Sequence, residues 1–245
     1  MGTPWDARTY DESSAPQQAW ASEVLARLEG IAQDATVLDV GCGTGRVTEA
    51  LLALVPRGRV LAIDASPDMV ALAGRRLGDR ARVWCQDVLD LNPEEPVDAI
   101  VSTATLHWVT DHDRLWARLA RVLRPGGVLE VQCGGEGNIA GVREVMDAVA
   151  RDAAPELVGW SPWMFAGPEE TERRLRSAGF AAARCWLEDR PTYPDDVDAF
   201  VRTSILPAHL ARLPEERRER FAAAVVGRVR LPLDYVRLNV SAVSA

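Results

Sequence analysis

The chain predicts an α/β fold: a doubly wound, mostly parallel sheet with helices on both faces. Three observations carry this. Short β-branched runs alternate with longer stretches whose apolar residues recur at helical spacing. The alternation repeats five times, which requires parallel strands joined by right-handed crossovers. Helix caps and stops fall where the two patterns change.

In chain order, Pro16 to Gly30 is an amphipathic helix with Trp20, Val24, Leu25 and Leu28 on one face. Val37–Val40 is a buried strand, followed by a glycine loop and a helix carrying Val47, Leu51 and Leu52. Arg59–Ile63 is the second strand. Ser66, Pro67 and Asp68 then supply an N-cap, a first-turn proline and a first-turn acid for a helix through Met69, Leu72 and Leu77. Arg82–Cys85 and Ala99–Val101 are the next strands. Asp113 to Leu123 puts Leu115, Leu119, Val122 and Leu123 on one stripe and stops at Arg124–Pro125–Gly126–Gly127, and Gly127–Val131 follows as the fifth strand.

The rhythm then breaks. Residues 134–166, Gly-rich and then Trp-rich, are expected to be an inserted cap. A helix over Pro168 to Ala178, a left-handed stop at Gly179 and a strand near Ala181–Leu187 resume the pattern. Residues 195–230 are expected to be helical and Leu233–Val243 to be a final strand. No linker interrupts residues 1–245, so one domain is expected.

Composition narrows the function classes. The chain has 245 residues, 47% hydrophobic and 26% charged, as in globular proteins. Its 28 basic residues are all arginine and face 36 acidic ones, a net charge of −8, which argues against a duplex nucleic-acid partner. Four dispersed cysteines and three histidines give no metal-ligand spacing, so no metal is expected. No apolar run is long enough to span a bilayer and no secretory leader is evident, so a cytoplasmic protein without a membrane partner is expected.

The chemistry concentrates in Val37–Leu38–Asp39–Val40–Gly41–Cys42–Gly43–Thr44–Gly45, a strand running into a glycine loop that opens a helix. Such loops let a ligand approach the strand end where any Cβ would collide. Arg46 stands where a dinucleotide fingerprint needs its third glycine, and a phosphate-binding loop would need a lysine. Asp39 precedes the loop instead. Asp64 closes the second strand 19 residues beyond Gly45, where an acid accepts from ribose hydroxyls, and Asp87 ends the third. Three carboxylates at three neighbouring strand ends suit a cationic nucleoside.

These residues, with Leu123–Arg124–Pro125–Gly126–Gly127, resemble the class I S-adenosylmethionine-dependent methyltransferases over roughly Val37 to Val131. The resemblance implies a Rossmann-like seven-stranded sheet whose last strand runs antiparallel. It implies that Gly41, Cys42 and Gly43 line the methionine part of the cofactor, with Asp39 near its amine. It further implies that Asp64 holds the ribose, that Ala65 and Met69 border the adenine, and that Asp87 accepts from the adenine amino group beside the Val88 backbone. Ser102 and Thr103 would sit near the transferring methyl. The opening Trp5–Asp6–Ala7–Arg8–Thr9–Tyr10 and the segment Ala104 to His112 are similar to trans-aconitate methyltransferases and related small-acid enzymes. In those, the N-terminal segment closes over the cofactor, implying a helical lid over residues 1–30.

Two residues are candidates for the catalytic step. His107 could act as a general base or simply line the cleft. Tyr10 could touch cofactor or acceptor, or anchor its own loop. Trp160, Trp163 and Phe165 could wall an acceptor or staple the cap, and Cys42 reads as small-residue packing. The function expected is methyl transfer to a small-molecule acceptor at a carboxylate or hydroxyl oxygen. A C- or N-methyltransferase of a natural product and a silent cofactor-binding accessory protein are the alternatives. The oligomeric state is not readable from the residues.

Overall fold

The computed structural model describes residues 15–245, with side chains from Trp20 onward. In order the elements are α1 (Ala15–Ala26), β1 (Thr36–Val40), α2 (Arg46–Leu54), β2 (Arg59–Asp64), α3 (Pro67–Leu77), β3 (Arg82–Cys85), β4 (Val97–Thr103), α4 (His112–Val122) and β5 (Leu123–Gly134). The remainder are α5 (Ala140–Ala153), α6 (Pro168–Ala178), β6 (Phe180–Asp189), α7 (Val197–Phe200), α8 (Pro207–Ala211), α9 (Glu215–Val226) and β7 (Val236–Ser244). The seven strands form one open sheet in the order β3-β2-β1-β4-β5-β7-β6, with β7 antiparallel to both neighbours and the others parallel.

Each face of the sheet buries the stripe of different helices. Leu38, Val40, Ile100, Leu129 and Val131 pack with Leu115, Leu119 and Val122 of α4 and Leu175 of α6. On the other face Val37, Val60, Ala99 and Val101 pack with Val24 and Leu28 beside α1 and Leu51 of α2. The period of two along the strands therefore sends Asp39 and Thr103 to the α1 side and Ser102 away from it. The anticipated caps form: the Ser66 hydroxyl accepts from the Met69 N–H at 3.4 Å, and Gly179 ends α6 at φ +103°.

Three expectations need correction, and the inserted segment gains an element that the sequence pattern leaves unspecified. The helix expected to Gly30 ends at Ala26; i to i−3 turns continue through Gly30, itself at φ +91°. The inserted stretch 134–166 holds a full helix, α5, whose Val142, Met146, Val149 and Ala150 form a buried stripe. Residues 195–230 are not one helix but α7, a π-helical turn over Val201–Ile205, α8 and α9, with Pro207 and Pro214 at the start of the last two. The final strand starts at Val236, because Leu233 pairs instead with Thr192 in an isolated bridge.

Segments 139–163 and 200–235 meet in a second hydrophobic cluster, in which Val142, Met146 and Trp163 pack with Ile205, Phe221 and Val225. Trp20 of α1 and Tyr235 join the same cluster, their rings 5.5 Å apart. Among the described residues no helix is long and apolar enough to cross a membrane.

Candidate active site

The carboxyl ends of β1, β2 and β4 lie side by side in the sheet, where open α/β sheets bind ligands in a crevice, and the loop after β1 stands at that edge. Gly41, Gly43 and Gly45 take φ values of +75°, +54° and +84°, a region closed to most L-residues. Their surroundings differ. A Cβ on Gly41 would lie 2.2 Å from the Thr105 side chain, whereas one on Gly43 would meet nothing within 4 Å. Gly41 is thus needed for packing, and Gly43 presents bare backbone to open space. Gly41→Ala should accordingly destabilise the fold by about 2 kcal/mol or more, read as a lowered midpoint in chemical denaturation.

The loop is tied to the neighbouring strand. The N–H groups of Gly41 and Cys42 both donate to the Ile63 carbonyl, at 2.8 and 2.9 Å. Asp64 completes the tie: Oδ2 accepts from the Gly43 N–H at 2.9 Å and Oδ1 from the Ser66 N–H at 2.8 Å. Burial raises the Asp64 pKa, and these backbone hydrogen bonds oppose the rise. Each carboxylate oxygen keeps a further lone pair for a ligand hydroxyl.

Asp39 lies one residue before the strand end, 1% exposed. The Thr48 hydroxyl donates to its Oδ2 at 2.6 Å, while Oδ1 is buried with no hydrogen-bond partner. Burial pushes the Asp39 carboxyl up to about 7, with the charge of Asp64 adding to the rise. A buried acceptor left unsatisfied is costly, and a cation supplied by a ligand would relieve it. The Cys42 thiol is pushed far above its ordinary range by burial and by both acids, consistent with a packing role.

The remaining expected residues are spread around the same edge. Ala65 is exposed and Met69 buried at the start of α3. Asp87 is exposed and accepts from the Leu89 N–H at 2.8 Å, with Val88 buried behind it. Thr103 ends β4 half-buried. Ser102 is fully buried, and its hydroxyl donates to the Val40 carbonyl at 2.7 Å. Its side chain therefore fastens β4 to β1 and is not exposed to the crevice. Tyr10 lies outside the described residues.

His107 sits in a short 3-10 turn after β4, 8% exposed. Its Nδ1 accepts from the Gly134 N–H at 3.3 Å, so the neutral ring carries its proton on Nε2. Burial, together with the nearby Arg237 charge, holds its pKa well below the usual histidine range. A ring in this state presents an Nε2–H donor, and its Nδ1 lone pair is already engaged. It stacks obliquely against Trp108 and Phe165, at 5.5 and 5.8 Å, and Phe165 lies flat on Trp163 at 5.5 Å. These aromatic contacts run from the crevice into the cap.

Several contributors escape a reading by motif. Thr48 has no signature, and Ala104 and Thr105 stand only within a resembling segment that assigns them no role, although Thr105 donates to the Gly41 and Thr103 carbonyls at 3.2 and 2.9 Å. Ala104 adopts φ +54° directly after β4, a strained turn for an alanine.

A family model described as a methyltransferase domain matches residues 37–127. A trans-aconitate 2-methyltransferase of Methylobacterium nodulans is 44% identical over 183 residues, covering 75% of this chain and 67% of that protein. One from Acidovorax ebreus is 34% identical over 159 residues, covering 65% and 57%. Haemonchus contortus phosphoethanolamine N-methyltransferase 2, solved with phosphomonomethylethanolamine and S-adenosylhomocysteine, superposes with a TM-score of 0.65. It is 17% identical; the match covers 97% of this chain and 56% of that one, a likeness of fold alone.

Proposed function

The chain belongs to the S-adenosylmethionine-dependent methyltransferases, and from that premise we propose that it methylates a carboxylate oxygen of a small organic acid. Its cofactor is S-adenosylmethionine, and the residues present fit it: the backbone of Gly43 faces open space, and Asp39 Oδ1 is a buried acceptor without a hydrogen-bond partner that an ammonium group would satisfy. When bound, the cofactor supplies an electrophilic methyl group on a sulfonium sulfur.

The chain's own residues hold and orient. In this reading the backbone of Gly41, Cys42 and Gly43 lines the methionine part, and Asp39 receives its ammonium group. Asp64 receives the ribose hydroxyls on the lone pairs that the loop leaves free. Ala65 and Met69 border the adenine, Asp87 accepts from its amino group, and the Val88 backbone lies beside it. The Thr103 end of β4 faces the transferring methyl, with Ser102 fixing that strand's position. Tyr10 and the segment before α1 meet cofactor or acceptor. Trp160, Trp163 and Phe165 belong to a cap that excludes water, which favours alignment of nucleophile and carbon. Residues 1–245 act in this reading as a single unit, and the four free cysteines fit a reducing cytoplasm.

The observation that carries the oxygen acceptor is the state of His107. Its Nδ1 lone pair is occupied and its pKa is depressed, so an acceptor that arrives already ionised suits the site. A carboxylic acid, with an ordinary pKa near 4, is ionised at neutral pH and needs no base. The trans-aconitate relatives carry an acid in their name.

The test is a labelled-methyl assay with small carboxylic acids, phenols and amines. The expected result is an alkali-labile ester from the acids. An alkali-stable product would mean transfer to a hydroxyl oxygen, to carbon or to nitrogen, and donor binding without turnover on any class would mean an accessory protein. His107→Asn keeps an acceptor for the Gly134 N–H and should leave kcat/KM on the acid within about tenfold; a loss of about 10²-fold or more would restore the base role.

A further inference from the structure

We propose that the cap carries a second small-molecule site, centred on His209, for an uncharged ligand that presents a hydroxyl donor on an apolar body, such as an alcohol or a phenol. It is separate from the methyl-transfer crevice and does not depend on which acceptor that crevice takes.

The site follows from how the cap is built. Where segments 139–163 and 200–235 pack together they leave a partly open cleft of about 360 Å³. Met146 and Ala150 of α5, with Leu157 and with Phe221 of α9, give it an apolar lining, and Trp160 and Trp163 add two indole rings. None of the residues lining it belongs to the strand ends or to the glycine loop.

One polar atom of this lining is unsatisfied. His209 of α8, 3% exposed, stands edge-on to Trp160 at 4.8 Å and tilted against Trp163 at 5.2 Å. Its Nδ1 is buried with no hydrogen-bond partner, while the ring bonds the Trp160 backbone. That bond favours the protonated ring, so its acceptor is the carbonyl and the neutral ring carries its proton on Nε2. Burial outweighs it and lowers the pKa to about 4, which leaves Nδ1 a bare lone pair at neutral pH. A buried acceptor without a donor is costly, and the O–H of a ligand would relieve it.

The charges around the cleft choose among donors. An anion would face the His209 lone pair and the carboxylate of Asp147, which is half-buried in the lining with Oδ1 accepting from the Gly159 N–H at 3.1 Å. The cation of the lining, Arg143, is exposed and lies over Phe165 at 5.8 Å. A cationic ligand would meet Arg143, and would meet Arg212 already seated over the Trp160 ring at 4.5 Å. A neutral hydroxyl meets neither repulsion, and its apolar body gains from burial against the lining.

The experiment titrates the protein with phenol, with its methyl ether anisole, with benzoate and with benzylammonium, following the indole N–H signals of Trp160 and Trp163 by nuclear magnetic resonance. Phenol should bind saturably with a Kd on the order of 1 mM and shift both signals. Anisole keeps the ring and loses the donor, and it should bind at least about tenfold more weakly, as should both charged probes. His209→Phe should bring phenol to the affinity of anisole. His209→Asn keeps an acceptor near the position of Nδ1 and should hold phenol within about threefold of wild type. Saturating phenol should move the Kd for S-adenosylmethionine by less than about twofold. Equal binding of phenol and anisole would overturn the assignment, as would a charged probe that binds more tightly than phenol; both comparisons use wild type alone. So would phenol binding that leaves the two indoles unmoved, or no saturation at all, the result for a cleft that takes only water. Competition between phenol and S-adenosylmethionine would put phenol in the crevice and overturn it too.

Discussion

Replacing Asp64 by alanine is expected to reduce S-adenosylmethionine affinity by about 10²–10³-fold, the loss of two hydrogen bonds to a charged acceptor. The carboxylate serves two purposes at once. It ties Gly43 to the turn at Ser66 through two backbone N–H groups, and in the proposed complex it accepts the ribose hydroxyls. Removing it leaves both donors without that partner and frees the loop to move. Calorimetry should report the lost affinity, and hydrogen exchange should report faster exchange at the Gly43 amide without the cofactor. Undiminished binding would remove Asp64 from the ribose.

The second large effect concerns Asp39 and depends on pH. Its carboxyl titrates near 7 in the fold, against an ordinary 3.8, chiefly because it is buried. The folded form thus holds the proton more tightly than the unfolded chain. Its contribution to stability is fully present below about pH 4 and is lost as the pH rises through 7. The ionised form that costs stability is the one that attracts an ammonium group. Unliganded wild type should therefore lose stability between about pH 4 and 7, while its affinity for S-adenosylmethionine increases as the carboxyl ionises around pH 7. Asp39→Asn should flatten both trends, raising unliganded stability at pH 8 by on the order of 1–4 kcal/mol. It should also weaken binding about 10²-fold at that pH. Thermal melts with and without cofactor read both, and a variant that binds as well as wild type would remove Asp39 from the ammonium group.

Much of the sheet was legible because each strand is a short apolar run bounded by a cap or a glycine. Ser66 before Pro67 and Gly179 after Ala178 mark boundaries that the structure keeps. The cap was not legible because its stability is not local. The stripe of α5 lies behind Gly134, Gly135 and Gly137, whose composition suggests a loop, and its partners are about sixty or more residues away on the segments carrying Ile205 and Phe221. In the site, Asp39 and Asp64 were readable as acids at strand ends. Their hydrogen-bond states were not, since these depend on Thr48 and on the fold of the loop. His107 shows the same limit. The residue was identifiable, but its proton was assigned by the Gly134 amide, a backbone group that leaves no trace in sequence.

The separation of the cap's apolar cluster from those on the two faces of the sheet has a consequence for how such an enzyme diversifies. The donor end rests on packing between strands and their flanking helices, whereas the cap is consolidated around Met146, Trp163, Phe221 and Val225. Residues in different clusters perturb one another less than residues within one. Lineages can therefore remodel the cap to admit differently shaped acceptors while leaving the glycine loop and its strands largely unaltered, so new chemistry of recognition arises without renegotiating the source of the methyl group.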